Sequence, residues 1–481
     1  MQRHVFARYL TIAGLVALAV PATAPAQAFG INEIGTCAAS RGFAVTGSPC
    51  KDASSIFWNP GAATRQKGWN VLAGAAVIMV NAEFEEDTTF REYDGEVPTA
   101  IVPHAFVNFS GANSKLAFGL GFYVPYGLTS QWGNDFPGRF QAQKASLATF
   151  YIQPNIAYQI NSKWSIGGGP VIGHSTVELI QGIDLADQIA VPAAAPAPAV
   201  LFRQLGIATR TEFGKANLNG TAMSFGAHVG LFGQLTPEWS VGVRYMMPLD
   251  FKYDDAEATF TQTTTGLVLP PQNPVCYPAG TNPICAGNPN ATVDVDALVG
   301  PSFSTTLVTQ GVTTHITHPA QFQAGAGYSG FKDWLVSLDY AWTGWRKFRE
   351  LPVTFLGAAS VSNRILIEDY NNTSAIRVGA QRSFTGGSSV RFGFSGVASA
   401  APDETVTPLL PEQDRAYLSL GGEYPIMKGW AVEGAFLRVM AAGKRGRVSE
   451  RASRTVLAPA MNTGKYELSA NVISLSVKAN F

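Results

Sequence analysis

Residues 29–65 read FGINEIGTCAASRGFAVTGSPCKDASSIFWNPGAATR. The stretch is rich in Gly, Ala and Ser, and it has neither a helical period nor a two-residue alternation. Alone it could not bury enough apolar surface to stay folded. Everything after it reads as one β-strand after another. A compact segment of small residues ahead of a long run of amphipathic strands predicts a plug inside a β-barrel.

The composition separates a β-barrel from other classes of protein. The chain has 481 residues, of which 14% are charged, and its formal net charge is +0. Soluble proteins carry about 25% charged residues. A helical membrane protein would be far more apolar than this chain, whose mean hydropathy is +0.08. A barrel averages near neutral because its apolar residues take alternate positions. The zero net charge argues against a nucleic-acid partner.

Residues 1–28 are predicted to be a signal peptide. Arg3 and Arg8 give a basic start, residues 10–20 form a short apolar core, and Ala26-Gln27-Ala28 fits a cleavage site. The apolar core is too short to span a bilayer. We therefore expect export, with the mature chain starting at Phe29.

Four cysteines remain in the exported part, at Cys37, Cys50, Cys276 and Cys285. They fall into two sequence-close pairs, and an oxidising periplasm permits disulfides. Of the three connectivities we predict Cys37–Cys50 and Cys276–Cys285. A four-thiolate metal site is the alternative, but neither pair has the tight spacing of a zinc site. We expect neither a metal nor a cofactor.

Short turns alternate with long connections along residues 69–481, which we expect to form the barrel. The short polar turns are at 108–115, 159–164, 234–239, 328–334, 384–388 and 424–430. The long connections are at 82–100, 126–146, 178–218, 254–311, 349–370, 398–412 and 441–464. This layout is typical of bacterial outer-membrane barrels, with the short turns on the periplasmic side. Counting the strands between them predicts about fourteen, antiparallel and membrane-spanning.

Alternation supports these strands. In residues 334–342, Ser337, Asp339 and Ala341 share one face, and the other face is apolar: Trp334, Val336, Leu338, Tyr340 and Trp342. We expect the apolar face to meet lipid, because a charge there is costly. In the last strand, 465–481, the two halves have opposite apolar parity, which predicts a bulge near residues 472–473. An edge strand of a soluble sandwich is the alternative.

An apolar external loop is the odd feature of this layout. Residues 191–200 read VPAAAPAPAV, and the loop also carries five large apolar residues: Leu185, Ile189, Leu201, Phe202 and Leu205. Loops that face water are usually polar. Local packing on the barrel rim would explain these residues, and so would a landing surface for an apolar ligand.

Residues that could catalyse a reaction are scarce. His315 and His318 are three residues apart, so in a strand they point to opposite faces and do not form a two-histidine metal site. The sequence has no Gly-Xaa-Ser-Xaa-Gly elbow, P-loop or His-Glu-Xaa-Xaa-His motif. We therefore expect no enzyme, although distant residues could converge at a barrel rim.

Several stretches resemble the outer-membrane transporters of hydrophobic compounds, the FadL/TodX family. The resemblance covers nearly the whole mature chain and is strongest in seven stretches: DASSIFWNP at 52–60, VPYGL at 124–128, GRF at 138–140, QPNIAY at 153–158, THPA at 317–320, DYAWTGW at 339–345 and PLLPEQDR at 408–415. It implies a fourteen-stranded barrel whose lumen holds an N-terminal hatch, here residues 29–68.

The resemblance also implies a route. A ligand would land between the third and fourth external loops, pass to a pocket beside Phe29 and Gly30, and leave sideways at a kink in the third strand. The family's Asn-Pro-Ala hatch motif lies near that kink. It matches Asn59-Pro60 here, with Gly61 in place of Ala, although Asn59-Pro60 could also be an ordinary turn.

Two arginines are candidates to meet the carboxylate of a fatty acid. Arg139 and Arg244 each carry a guanidinium that could form a charge-assisted hydrogen bond, although pairing within the lumen or rim would explain both.

We thus predict a monomeric, hatch-closed barrel in the bacterial outer membrane. It would lie among outer-membrane lipid and lipopolysaccharide and pass long-chain fatty acids or aromatic hydrocarbons without an energy source. The alternatives are a general diffusion porin and an outer-membrane barrel enzyme.

Overall fold

The structure is a computed structural model that describes residues 28–192, 198–277, 282–446 and 463–481. The predicted signal peptide, apart from Ala28, lies outside the described residues, and so does the centre of the Pro/Ala-rich stretch. The described part of the chain holds no helix that is long and apolar enough to cross a membrane.

Fourteen antiparallel strands among the described residues form a closed barrel. In chain order they are β1 (Gly68–Glu86), β3 (Ala100–Ser110), β4 (Leu116–Gln131), β5 (Lys144–Gln159), β6 (Trp164–Ile183), β9 (Gly214–Gln234), β10 (Trp239–Met246) continued by β11 (Leu249–Gln262), β14 (Gln310–His318) continued by β15 (Gln321–Tyr328), β16 (Trp334–Thr343), β19 (Thr373–Ser383), β20 (Ser389–Val397), β21 (Arg415–Met427), β22 (Trp430–Ala441) and β24 (Gly464–Asn480). The last strand, β24, pairs with β1 and closes the barrel. The fourteen-stranded fold is therefore confirmed, and β1 begins one residue before the predicted start of the barrel.

Smaller elements lie in the connections and in the hatch. The strands are β2 (Glu92–Asp94), β7 (Ile189–Val191), β8 (Val200–Leu201), β12 (Val268–Leu269), β13 (Val293–Asp294), β17 (Glu350–Phe355), β18 (Arg364–Ile367) and β23 (Lys444–Gly446), and the helices are α1 (Thr36–Ser40), α2 (Ser55–Trp58) and α3 (Val295–Thr305). Short 3-10 turns lie at Pro60–Arg65, Pro137–Phe140, Phe202–Leu205, Pro283–Cys285, Trp345–Lys347, Ala358–Ser362 and Asp403–Thr405.

Two barrel strands are interrupted beside a proline. The seventh breaks at Met247-Pro248 and the eighth at Pro319-Ala320. Proline has no N–H to donate to a ladder, so the pairing lapses there and resumes beyond.

The faces of the strands follow the predicted alternation. In β16, Leu338 and Tyr340 are 55% and 40% exposed, whereas Ser337 and Asp339 are each 1% exposed. The exposed face is the one that meets lipid, and the buried face meets the hatch.

The last strand corrects one prediction. β24 pairs with β1 residue for residue, without a register shift at Val472 or Ile473, so the predicted bulge is wrong. Tyr466 and Val472 are apolar but fully buried, because they face the lumen. The upper lumen is itself apolar, so the apolar residues change face while the backbone stays regular.

The strands also extend farther than the pattern predicted. β6 and β9 stay paired as far as Ile183 and Gly214, inside the connection predicted at 178–218. A transmembrane strand needs about 9–11 residues, and β9 has 21. The barrel wall therefore continues beyond the membrane and surrounds the upper lumen.

Residues 28–67, here called the hatch, are mostly buried and pack against the barrel strands. Its two helices have five and four residues, too few to be stable alone. Barrel groups hold the hatch: Asp339 Oδ2 accepts the Thr46 N–H at 2.6 Å, and Arg41 donates to Ser337 Oγ at 2.9 Å. Burial lowers the pKa of Arg41 to about 10. Contacts with the surrounding barrel wall therefore stabilise the structure of the hatch.

Candidate functional site

The start of the hatch extends the third barrel strand. Residues 28–34, here called the N-terminal arm, run beside the edge of β4 that faces β3. Ile31 N–H donates to Pro125 O at 2.9 Å, and Gly127 N–H donates to Phe29 O at 2.9 Å. Gly30 lies opposite Tyr126 in this pairing.

The arm lies where the hydrogen-bonded pairing between β3 and β4 ends. β3 and β4 pair only between Ala105–Phe122 and Phe109–Phe118, although β3 begins at Ala100 and β4 runs on to Gln131. The ladder between β4 and β5 shifts register between Tyr123 and Tyr126, in the strand where the resemblance implies a kink. The free edge of β4 above this kink would expose unpaired backbone groups, and the arm pairs with them.

Beside the arm lies an apolar cavity in the upper lumen. It contains ≈ 740 Å³ of space between atoms, part of which is open to solvent. Phe29 lines it, together with aliphatic side chains from six strands: Leu128, Leu147, Val177, Leu179, Leu218, Val312, Ile316, Leu351 and Val353. Glu178 is the one charged residue in the lining, and its carboxylate pairs with Lys144 Nζ at 2.5 Å. Such a space suits an apolar ligand.

Aromatic rings from three of the resemblance stretches surround Phe29. Its ring centroid lies 4.7 Å from that of Trp345, 5.7 Å from that of His318 and 5.9 Å from that of Tyr126. Such ring pairs contribute roughly 0.5–1.5 kcal/mol each beyond area burial. The arm is thus anchored by its first aromatic side chain as well as by its backbone.

A fourth stretch, 408–415, completes this site. Leu409 and Leu410 line the cavity. Glu412, in the same stretch, is 2% exposed and its Oε1 accepts the Ala28 N–H at 2.8 Å. Burial raises the pKa of Glu412, against the opposing effect of Arg415. Stretches far apart in sequence therefore converge on the arm.

Neither predicted arginine reaches the cavity. Arg139 Nε donates to Glu212 at 3.0 Å, and Arg139 Nη1 donates to Phe136 O at 3.0 Å. Arg244 Nη2 donates to Gln321 Oε1 at 3.0 Å, and its guanidinium lies 4.4 Å from the Phe57 ring centroid. Both are held by the protein itself, so the structure gives no support for their meeting a ligand carboxylate.

A different arginine lies at the rim of the cavity. Arg364 pairs across the β17–β18 ribbon with Val353, and directly opposite residues share one face. Its Nη2 donates to Gln181 Oε1, two residues beyond the lining residue Leu179. Its Nε is buried and has no hydrogen-bond partner in the described structure. Sequence reasoning missed Arg364 because only the ribbon brings it to the cavity.

The predicted landing residues pack against their own loops. Phe202 is 6% exposed, and Leu185 and Leu205 are partly buried against the same cluster, which contains the Cys276–Cys285 disulfide. Ile189 is 58% exposed, and it pairs with Leu201. None of the five lines the cavity. Local packing accounts for the buried ones, and a landing surface for an apolar ligand stays a prediction.

The hatch motif, residues 59–61, contacts β6 and β9. Asn59 Nδ2 donates to Thr46 O at 2.9 Å and to Leu231 O of β9 at 3.1 Å. Pro60 and Gly61 touch β6 and β9, while Ile56 approaches β4 instead. A Cβ at Gly61 would lie 2.8 Å from the carbonyl oxygens of both Gly230 and Ser165. Close approach to the wall thus gives a steric reason for glycine there.

The hatch disulfide joins Cys37 to Cys50 as predicted, and the second pair is also joined as predicted. Both sulfurs of each pair are therefore bonded, so a four-thiolate metal site is ruled out for these residues.

Comparisons with known proteins agree with this geometry. Residues 17–481 match the family model described as outer membrane protein transport protein (OMPP1/FadL/TodX). A long-chain fatty acid transport protein of Salmonella typhi is 23% identical over 429 residues, covering 87% of this chain and 88% of that protein.

Solved structures share the fold. A Pseudomonas aeruginosa FadL homologue superposes with a TM-score of 0.71 at 18% identity, covering 95% of this chain and 100% of its own. The P. putida toluene transporter TodX superposes with a TM-score of 0.64 at 15% identity, covering 95% and 99%.

Proposed function

Because the chain belongs to the outer membrane protein transport family (OMPP1/FadL/TodX), we propose that it carries hydrophobic molecules through the cavity and out past the N-terminal arm. The chain is an outer-membrane β-barrel transporter. The observation that carries the proposed route is the position of Phe29: its ring bounds the cavity, and its carbonyl closes the free edge of β4.

The energetics favour such a route. An apolar solute that enters an apolar cavity leaves water with a gain of roughly 25 cal/mol per Å² of surface removed. A ligand in the cavity contacts Phe29 directly, so it competes with the aromatic rings that hold the arm. When the arm leaves β4, the wall between β3 and β4 loses its closure, and the ligand has a way into the membrane. No step of this route consumes energy from a nucleotide.

The side chains that line the cavity indicate which class of ligand it accepts. The named relatives carry long-chain fatty acids and toluene, and the aliphatic lining accepts either. An acid also brings a carboxylate, which a neutral hydrocarbon lacks. We propose that Arg364 receives it, because Arg364 is the cation at the rim whose Nε lacks a partner in the described structure. Charge-assisted hydrogen bonds of this kind are the strong ones.

The experiment is an uptake measurement. Cells that lack their own transporter would express the chain and receive radiolabelled oleate or toluene, and immunoblots would verify its insertion into the outer membrane. We expect uptake of at least one compound well above the empty-vector control. Free passage of sugars without uptake of either compound would instead indicate a diffusion porin.

Other features of the proposal follow from the fold. We propose cleavage of the signal peptide near residue 28, a monomeric barrel, and contact of its exposed apolar face with outer-membrane lipid and lipopolysaccharide. The relatives named here are a transport protein and a toluene transporter, so we propose transport and no enzymatic activity. A hatch that fills the lumen favours gated passage over an open pore.

A further inference from the structure

Glu412 is a buried carboxylate next to the start of the described chain. Its Oε1 accepts two backbone N–H groups, from Ala28 at 2.8 Å and from Ala400 at 3.2 Å. Its Oε2 lies 3.5 Å from Arg415 Nη2. Ala28 is 5% exposed and Glu412 is 2% exposed, so both are enclosed by protein.

The charge of Glu412 is only weakly compensated. Burying a carboxylate is costly unless it is paired at close range and fully hydrogen-bonded. The Arg415 contact is the longest of its three contacts, and the two shorter ones come from neutral amides. A positive group at the position of the Ala28 nitrogen would supply both a charge and additional donors.

We propose that Glu412 binds the α-ammonium group that export creates on a mature chain starting at Ala28, one residue before the start predicted from the sequence. Signal-peptide cleavage adds one water across a peptide bond. The released peptide takes the new carboxylate, and the mature chain keeps the new α-amine. That amine has an ordinary pKa of about 7.7–8.0 and is protonated at neutral pH. Cleavage thus replaces a neutral amide at this place by a cation.

The pairing has a consequence for the gate. A buried ion pair at residue 28 fixes the residue before Phe29, whose ring and carbonyl hold the cavity wall and β4. Processing therefore completes the closed state, because an uncleaved chain has no charge to offer Glu412. This inference is independent of what the barrel transports, so the uptake measurement does not decide it.

The test measures the reactivity of the α-amine. Purified full-length mature barrel in detergent would be treated with an amine-reactive reagent at pH 7, and mass spectrometry would follow labelling of the N-terminal peptide and of exposed lysines. Intact mass gives the first residue, expected at Ala28. In the folded wild-type protein we expect the α-amine to react at least about tenfold more slowly than in the denatured protein.

Variants separate pairing from simple enclosure. Glu412→Gln keeps the size and one acceptor oxygen but removes the charge, so the α-amine should react about tenfold faster than in wild type. Glu412→Asp keeps the charge, and its α-amine should react at a rate between those of wild type and Glu412→Gln. Glu350→Gln alters an exposed carboxylate of β17 and should match wild type.

Three results would overturn the proposal: a first residue other than Ala28, an α-amine that is equally reactive in folded and denatured wild-type protein, or equal protection in wild type and Glu412→Gln. The wild-type comparison needs no variant, so it remains decisive if Glu412→Gln fails to fold.

Discussion

Gly61→Ala tests how closely the hatch packs against the barrel wall. The added methyl would lie 2.8 Å from the Gly230 and Ser165 carbonyl oxygens and 3.2 Å from the Phe232 nitrogen. Ordinary contacts to a Cβ begin near 3.4 Å, so the hatch must move by about half an ångström against two strands. Ser165 Oγ also donates to Gly61 O at 2.7 Å, and that bond would be strained.

The expected magnitude follows from overpacking. Inserting a methyl group into a tightly packed site costs roughly 1–3 kcal/mol. At 1.4 kcal/mol per factor of ten, the undocked fraction of the hatch should rise about 5- to 150-fold. Because the hatch packs against the barrel strands, undocking should appear as brief ion currents in a planar bilayer.

The assay compares the frequency of these openings in wild type and variant. Gly434→Ala is the matched control, because its methyl would find its nearest neighbour, Leu475 Cδ2, at an ordinary 3.7 Å. If openings were no more frequent in Gly61→Ala than in Gly434→Ala, the conclusion that no methyl group fits between Gly61 and the barrel wall would be refuted.

Three further predictions concern other parts of the site. Removing the hatch disulfide, Cys37–Cys50, should loosen residues 37–50 by roughly 2–4 kcal/mol, seen as faster hydrogen exchange there, while removing the external-loop disulfide should leave the hatch unchanged. Arg364→Gln should weaken oleate binding at least about tenfold but leave toluene binding unchanged, with the exposed Arg349→Gln as control; equal losses for both ligands would contradict a carboxylate contact. Burial raises the pKa of Glu33, although nearby backbone N–H groups and arginines oppose the rise, so its contribution to hatch stability should be complete below about pH 4.3 and fall as the pH rises through the raised pKa; Glu33→Gln should flatten this trend in hydrogen exchange.

The barrel could be predicted because its signals are local. Alternation and turn composition depend on neighbouring residues, so the strand count and the lipid-facing side of β16 were both correct. The two disulfides followed from closeness in sequence. The apolar inner face of β24 was misread as a bulge, because the rule that polar residues face the lumen fails where the lumen itself is apolar.

The site could be predicted only in part because it is assembled by closure of the barrel. The place of Phe29 came from the resemblance, and the stretches around Tyr126, His318 and Trp345 were noticed without their meeting point. The partners of Arg139 and Arg244 come from distant segments, and no local pattern identifies them. Arg364 carried no sequence signal at all, since a short ribbon in a long connection brings it to the cavity.

The most direct test of the proposed exit is to cross-link the N-terminal arm to β4 by a disulfide. Gly30 and Tyr126 lie directly opposite one another, and the bonds on either side make them a non-hydrogen-bonded pair with Cα atoms about 4.5 Å apart, within disulfide reach. Gly30→Cys with Tyr126→Cys should form a cross-link. Uptake of labelled oleate or toluene should then fall to background and return on reduction, with each single variant and reduced wild type as controls. Undiminished uptake by the fully cross-linked chain would contradict an exit past the N-terminal arm.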